Sequence, residues 1–458
     1  MAKNKSLHDA ARAKQDEFYT DIRDIENELR YYKQHFRDKI VLCNCDDPYE
    51  SNFFKYFALN FNALGLKKLI TTCYSGSPIA QQQLSLFEDN TPPIERTPHH
   101  VEITEFEDYN GDGRKDLLDI EYSLRNNRKN TWTKLQGNGD FRSAECIELL
   151  KQADIVVTNP PFSLLREYIA QLLKYNKKFL IVGNKNAVTY KEIFPLFMQN
   201  RMWMGIGFRG GNAYFKVPTD DVSRYAEGVY NSETERVKFR NCCWFTNLEH
   251  HRQNETIPLY CEYYRDPSKY PKYDNYDAIE VSKVSEIPCD YLPDYNLDKQ
   301  EDNIIERTNE RTNERTQRSI TESWESQSPS LTSITQSNSK LSGARINTET
   351  PESTSLEQHG TRYSTAETST NESSSGARCN GIMGVPITFL DKYNPKQFEI
   401  IGIAKRGAGD PALRTKVYSR EDYSNYSDLN AGPVLVSNDG KLYNTYPRIL
   451  IRRRREGE

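Results

Sequence analysis

Residues 153–182 read ADIVVTNPPFSLLREYIAQLLKYNKKFLIV, and the rest of the chain is organised around them. Asp154–Thr158 is a short β-branched run of the kind that makes a buried strand, and Lys178–Val182 is another. Between them lies an apolar-periodic segment of about four helical turns. The unit is a strand, a helix and a strand, and Asn159-Pro160-Pro161-Phe162 falls at the carboxyl end of its first strand, where open α/β sheets place their ligands.

Those four residues have a definite chemistry. Two prolines fix φ and remove two backbone donors, so the chain is stiff and the Pro160 carbonyl is left to accept. Asn159 adds a second acceptor and Phe162 a stacking face. Such a cup suits an amino group on a planar heterocycle, because two convergent acceptors hold both amine hydrogens and aim the nitrogen lone pair at an electrophile. An ordinary turn after a strand would carry the same letters, and the tetrapeptide alone does not choose between the two.

The chain has 458 residues, room for two or three domains, and a net charge of −4. Bulk electrostatics therefore do not force nucleic-acid binding, which would rest on local basic patches. Nine cysteines are scattered without metal-site spacing, so reduced thiols in the cytoplasm are expected. No apolar run reaches transmembrane length, and the N-terminus lacks the apolar core of a signal peptide.

Upstream of the central unit, Asp21–Phe36 predicts a helix with Ile22, Ile25, Leu29 and Tyr32 on one stripe. A strand over Lys39–Asn44, the acidic turn Asp46-Asp47-Pro48, an aromatic-rich helix over Ser51–Leu64 and a strand over Lys68–Cys73 make a βαβ unit without a glycine-rich fingerprint. A loop with a short helix around 80–87 and a strand over Val101–Thr104 follow. Asp108, Asn110, Asp112, Gly113, Asp116 and Asp119 have much of the spacing of a calcium loop, but no convincing helix precedes them. A solvated loop is the preferred reading, and no metal is expected.

Downstream, Lys185–Phe197 predicts a helix and Met202–Phe208 a strand, with Gly205, Gly207, Gly210 and Gly211 making a permissive loop. Arg240–Thr246 predicts a strand whose Trp244-Phe245 pair suits a buried core. Residues 252–290 are tyrosine-rich, and that composition fits a nucleic-acid surface or irregular packing equally. Near the C-terminus, Ile387–Phe389, Phe398–Ile403, Val434–Val436, Lys441–Tyr443 and Arg448–Ile451 predict short strands. Lys405, Arg406, Arg414, Lys416 and Arg420 form a basic cluster, while Arg452-Arg453-Arg454 predicts a solvated tail.

DEFYT at 16–20, VLCNCDDP at 41–48, SNFFKYFALNF at 51–61, GDFRS at 139–143, ADIVVTNPPFSL at 153–164 and GVPITFLDKYNPKQFEIIG at 384–402 together resemble the adenine-N6 DNA methyltransferases of the EcoRI modification-methylase type. The resemblance covers about 1–290 and 382–454. It implies an α/β fold, a Rossmann-like class I sheet dependent on S-adenosylmethionine, with a C-terminal target-recognition region. The expected divisions are a catalytic domain at 1–250, the start of target recognition at 251–290 and its remainder at 382–458. Between them, 291–381 contains the repeated tetrad Glu306-Arg307-Thr308-Asn309 and is poor in apolar residues, so a disordered insertion is expected there.

By the same resemblance Asn159, Pro160, Pro161 and Phe162 hold the target amine. Phe18, Tyr19, Thr20, Asp46, Asp47, Asp140 and Phe141 hold the cofactor, and Trp244-Phe245 resembles the motif that packs on a flipped base. Lys405, Arg406, Arg414 and Lys416 contact double-stranded DNA. Adenine within GAATTC is the implied target, beside a cognate endonuclease, for a monomeric enzyme. Methylation of RNA adenine or protein glutamine, and a non-catalytic DNA-binding protein, stay open as alternatives.

Overall fold

The computed structural model describes residues 19–45, 51–73, 98–109, 111–113, 115–116, 118–119, 122, 130–208, 212–216, 230–231, 233–234, 236–293, 380–406, 413–422 and 428–455. Strand β1 (Tyr19–Thr20) leads into helix α1 (Ile22–Leu29), whose N-cap Asp21 accepts from the Arg23 amide. The single helix expected over Asp21–Phe36 is interrupted, because the Tyr31 and Tyr32 amides bond three residues back and tighten the turn before α2 (Lys33–Phe36). Strand β2 (Ile40–Asn44) follows. Helix α3 (Asn52–Leu59) starts at Ser51, whose Oγ accepts from the Phe53 and Phe54 amides, and α4 (Phe61–Leu64) ends at Gly65 with φ +64°.

Strands β3 (Lys68–Thr72), β4 (His99–Ile103) and β5 (Thr131–Lys134) precede α5 (Ala144–Gln152), capped by Ser143. The central unit is β6 (Ile155–Thr158), α6 (Leu165–Lys174) and β7 (Lys178–Asn184), as predicted. The long helix and strand expected next are short: α7 (Phe194–Met198) behind a 3₁₀ turn, then β8 (Trp203–Met204). Strands β9 (Asn212–Lys216), β10 (Tyr230–Asn231), β11 (Arg236–Arg240) and β12 (Cys242–Thr246) follow, with Asn241 at φ +68° separating the last two.

The principal sheet has the order β5-β4-β3-β2-β6-β7-β12-β8. Strands β3, β2, β6 and β7 run parallel and read as continuous apolar runs because both faces are covered. Strand β4 pairs antiparallel with β3, and β12 lies antiparallel between β7 and β8. The chain leaves β2 toward β3 and returns to β2's other side with β6, which makes the gap after these two strands the topological switch point. A smaller sheet, β1-β9-β11-β10, stands apart from this one.

Past a segment of 3₁₀ turns, β13 (Ile279–Glu280), β14 (Ile382–Pro386) and β15 (Phe398–Ala404) precede the hairpin β16 (Val434–Val436) and β17 (Leu442–Asn444), then β18 (Arg448–Arg453). Four of them form the sheet β13-β14-β18-β15, and β16 pairs only with β17. The strand expected at Ile387–Phe389 is instead a 3₁₀ turn beyond β14. Arg452 and Arg453 are not a tail: they lie in a strand paired on both sides, with Arg452 3.0 Å from Glu399 and the Arg453 guanidinium on the Cys289 carbonyl. Arginine stems cover apolar surface while their heads stay wet, so polar letters did not preclude a strand.

The described residues of 1–292 and 380–458 form one compact unit. The insertion expected at 291–381 lies outside the described residues except at its ends, where Tyr291 packs on Tyr263 at 4.6 Å and Asn380 Nδ2 donates to the Asp277 carbonyl at 2.5 Å. No described helix is long and apolar enough to cross a membrane.

Candidate active site

Strand β6 delivers Asn159 to the switch point beside β2. The residue before it is fastened there: Thr158 Oγ1 donates to the Asn44 carbonyl at 2.5 Å, and the Tyr168 hydroxyl donates to Asn44 Oδ1. Asn159 itself is 7% exposed, and its Nδ2 donates to Thr20 Oγ1 at 3.4 Å. That bond turns the amide so that Oδ1 faces away from Thr20. Pro160 and Pro161 have no N–H to extend the ladder, so the chain leaves the sheet and enters a 3₁₀ turn at Phe162–Leu164. Phe162 is half-buried against the edge of the main core.

Thr20 is held in turn. Its main chain pairs with Phe215 of β9, and its carbonyl accepts from Asn52 Nδ2 at 2.7 Å, at the start of α3. The element predicted to cover the cofactor therefore meets the element predicted to hold the base. Tyr19 pairs with Lys216 through its main chain. Phe18, Asp46 and Asp47 lie outside the described residues, as does the Tyr19 side chain. The turn toward Asp46 begins at Cys45, a non-glycine residue at φ +81°, where the fold needs a left-handed backbone and the sequence offers no glycine.

The Asp140–Phe141 turn sits at the same edge. Gly139, at φ +77°, is pressed on the end of β3: a Cβ there would stand 2.1 Å from the Cys73 carbonyl. Helix α6, which begins just past Phe162, holds this turn at three points. Glu167 pairs with Arg142 at 2.9 Å, the Tyr168 ring meets Phe141 edge-on at 5.0 Å, and Gln171 Nε2 donates to the Phe141 carbonyl at 2.9 Å. Arg142 also pairs with Asp140 through Nη2 and Nε, at 2.7 and 2.9 Å. The close glycine approach, the buried ring of Phe141 and the carboxylate of Asp140 beside it fit a planar, hydrogen-bonding adenosine group along the ends of β2 and β3.

The four cations predicted to meet DNA are not one free cluster. Lys405 Nζ donates to Thr189 Oγ1 at 2.6 Å, and burial lowers its pKa. Arg414 lies over the Tyr276 ring and donates to the Asn430 carbonyl at 3.0 Å. Arg406 pairs with Asp428 and Lys416 with Asp274, but their side chains keep 71% and 47% of their surface exposed. Trp244 and Phe245 are fully buried, with Trp244 stacked on Phe208 and edge-on to Phe53, so the pair belongs to the core. In the Asp108–Asp119 loop the carboxylates cap main-chain amides: Asp108 accepts from Gly111 and Gly113, and Asp119 from Tyr109 and Asp116, all at 2.8–2.9 Å. Among the described residues no group of three or more His, Cys, Asp or Glu is placed to hold a metal.

Sequence reasoning missed Asn44, Tyr168, Arg142 and Glu28. The last left a trace: a glutamate at 28 falls within the apolar stripe of α1, four residues before Tyr32, where a solvated side chain has no place.

The family described as "Adenine-specific methyltransferase EcoRI" matches residues 6–342 and 376–454. Only 343–375 interrupts that match, a much shorter interruption than the one expected from composition. The chain is 38% identical over 405 residues to "Type II methyltransferase M.EcoRI" of Escherichia coli, covering 88% of this chain and 90% of the relative. It is 30% identical to "Type II methyltransferase M.MgeORF184P" of Mycoplasma genitalium over 97% of both chains. It is also 36% identical to "Type II methyltransferase M.MpnI" of Mycoplasma pneumoniae, over 62% of this chain and 77% of that one. No solved structure matches.

Proposed function

The chain belongs to the EcoRI-type adenine-specific DNA methyltransferases, and from that premise we propose that it methylates N6 of an adenine in one short duplex sequence, with GAATTC the first to try. The observation that carries the reading is the Asn159 amide at the carboxyl end of β6, turned by its bond to Thr20. S-adenosylmethionine, the cofactor of the family, supplies an electrophilic methyl group when bound. Thr20, the Asp140–Phe141 turn and Tyr19 are the described residues assigned to hold it, and Phe18, Asp46 and Asp47 complete the proposed set.

An adenine in the duplex cannot present its amine to an enclosed site, so the base is swung out at a cost of a few kcal/mol. Asn159 Oδ1 and the Pro160 carbonyl accept the two amine hydrogens, Pro161 stiffens the turn, and Phe162 stacks on the ring. Taking the methyl would break its bond to the sulfonium sulfur, leaving a thioether, and make the nitrogen positive until one amine proton passes to solvent; two fixed oxygen dipoles would stabilise that charge without reorganising. Arg406 and Lys416, with exposed heads, are assigned to phosphates. Lys405 and Arg414 would reach DNA only by leaving Thr189 and Asn430.

We further propose a monomer acting beside a cognate restriction endonuclease in the cytoplasm. Methylation-sensitive sequencing of DNA from cells expressing the protein tests the assignment of atom and sequence together. N6-methyladenine at a single motif supports it. Methyl label from S-adenosylmethionine found in RNA or protein, with none in DNA, would replace it.

A further inference from the structure

Glu28 has no exposed surface, yet the site as described gives it no task. Its Oε1 accepts from the Ile206 amide at 2.8 Å and from the Tyr32 hydroxyl at 2.9 Å, and its Oε2 accepts from the Gly207 amide at 2.9 Å. Only glycine allows this approach at 205, where a Cβ would stand 2.3 Å from Glu28 Oε1 and 2.7 Å from Trp244 Cβ. Arg252 Nη1 donates to the Ile206 carbonyl at 2.6 Å, so that residue's main chain is gripped at both its amide and its carbonyl. Burying a carboxylate costs several kcal/mol unless donors surround it. Here they do, and two of them are main-chain amides of a loop.

That loop matters because of where it leads. Residues 204–208 wall a cavity of about 520 Å³, facing Lys185 and Cys242–Cys243 at the carboxyl end of β7, one strand from Asn159. Farther along, β9 pairs with β1, setting Phe215 opposite Thr20, and Thr20 Oγ1 meets the Asn159 amide. Phe208, next to the gripped pair, meets the Phe215 ring edge-on at 6.5 Å, so the loop that Glu28 grips packs on the strand that supports Thr20 and Asn159. We infer that Glu28 is a positioning residue for methyl transfer: it fixes the main chain at Ile206–Gly207 and, through β9 and β1, the orientation of the Asn159 amide. The inference rests on Asn159 being the residue that holds the target amine.

Burial raises the Glu28 pKa to about 7, against the hydrogen bonds from Ile206, Gly207 and Tyr32 and the nearby charge of Arg252, which lower it. The titratable and charged groups around it are Tyr32 in the turn between α1 and α2, Arg252 after β12 and Cys243 in β12, with His250 against the Tyr32 ring. The ionised form accepts all three donors. Turnover therefore rises as pH passes upward through about 7.

Glu28→Gln keeps the shape but sets an amide N–H₂ against main-chain N–H. In steady-state assays with duplex DNA and labelled S-adenosylmethionine, kcat should fall about tenfold with KM for DNA within about twofold. The variant should lose the wild-type rise with pH, and the Ile206 and Gly207 amides should exchange faster with deuterium. Tyr32→Phe, the second variant should Glu28→Gln not fold, removes one donor to the ionised form and should move the pH midpoint upward. Wild-type kcat and pH profile in Glu28→Gln, or an unmoved midpoint in Tyr32→Phe, would overturn the inference. A wild-type enzyme that transfers no label to DNA would instead overturn the reading on which it stands.

Discussion

The side-chain nitrogen of Asn159 lies 3.4 Å from the hydroxyl of Thr20, 139 residues earlier in the chain. The hydroxyl accepts, the amide donates, and the orientation of Asn159 Oδ1 follows. Thr20→Val keeps the β-branched shape that suits β1 and deletes the acceptor. One neutral hydrogen bond contributes about 1 kcal/mol, so kcat should fall about fivefold to tenfold in steady-state methylation, with the Kd for DNA unchanged. An unchanged kcat would mean that Thr20 does not set the amide.

Asn44 joins the end of β2 to Thr158 and to Tyr168 on α6, and it is almost fully buried. Tyr168→Phe keeps the ring contact with Phe141 and removes the bond to Asn44 Oδ1. A buried acceptor stripped of its donor costs about 1–3 kcal/mol, so the urea midpoint should drop with an unchanged slope. A shallower slope would point to a change in compactness instead.

The strand–helix–strand at 153–182 was legible because its apolar periods are unbroken and its strands are buried on both faces. The placement of Asn159 at a carboxyl strand end followed from that alone. The sheet joining Tyr19–Thr20 to 212–216 was not legible, since β1 has two residues and its register comes entirely from a partner almost two hundred positions away. Arg452 and Arg453 misled because their charge hid a paired strand. The calcium-like spacing of Asp108–Asp119 did not decide its own reading, because carboxylates at turn positions also serve to cap amides, as Asp108 does here.

Burial pushes the His250 pKa down to about 4, despite its bond to the Met204 carbonyl, which raises it. An unfolded histidine takes a proton near 6.5. The folded protein therefore keeps this contribution above about 6.5 and loses it as pH falls toward 4. Glu28 acts with the opposite sign: its contribution is complete below about 4.5 and is lost as pH rises through about 7. Across pH 4.5–6.5, Tm of a His250→Asn variant should fall less steeply on acidification than that of the wild type. Parallel Tm curves would show that His250 titrates normally.

Arg406 and Lys405 are adjacent in sequence but face different partners, Asp428 and Thr189. Plots of log Kd for DNA against log salt should separate them. Arg406→Ala should reduce the slope by about 1, the signature of one lost phosphate contact, whereas Lys405→Met should leave it unchanged. Equal losses of slope would place both cations on phosphates.

The account turns on Asn159, and the most direct measurement is single-turnover transfer of labelled methyl from S-adenosylmethionine to an adenine-containing duplex by Asn159→Ala, beside cofactor binding by the same protein. The variant should bind the cofactor as the wild type does and transfer at least about a hundredfold more slowly. Transfer to adenine N6 at the wild-type rate would contradict the assignment of the base-holding site to the end of β6.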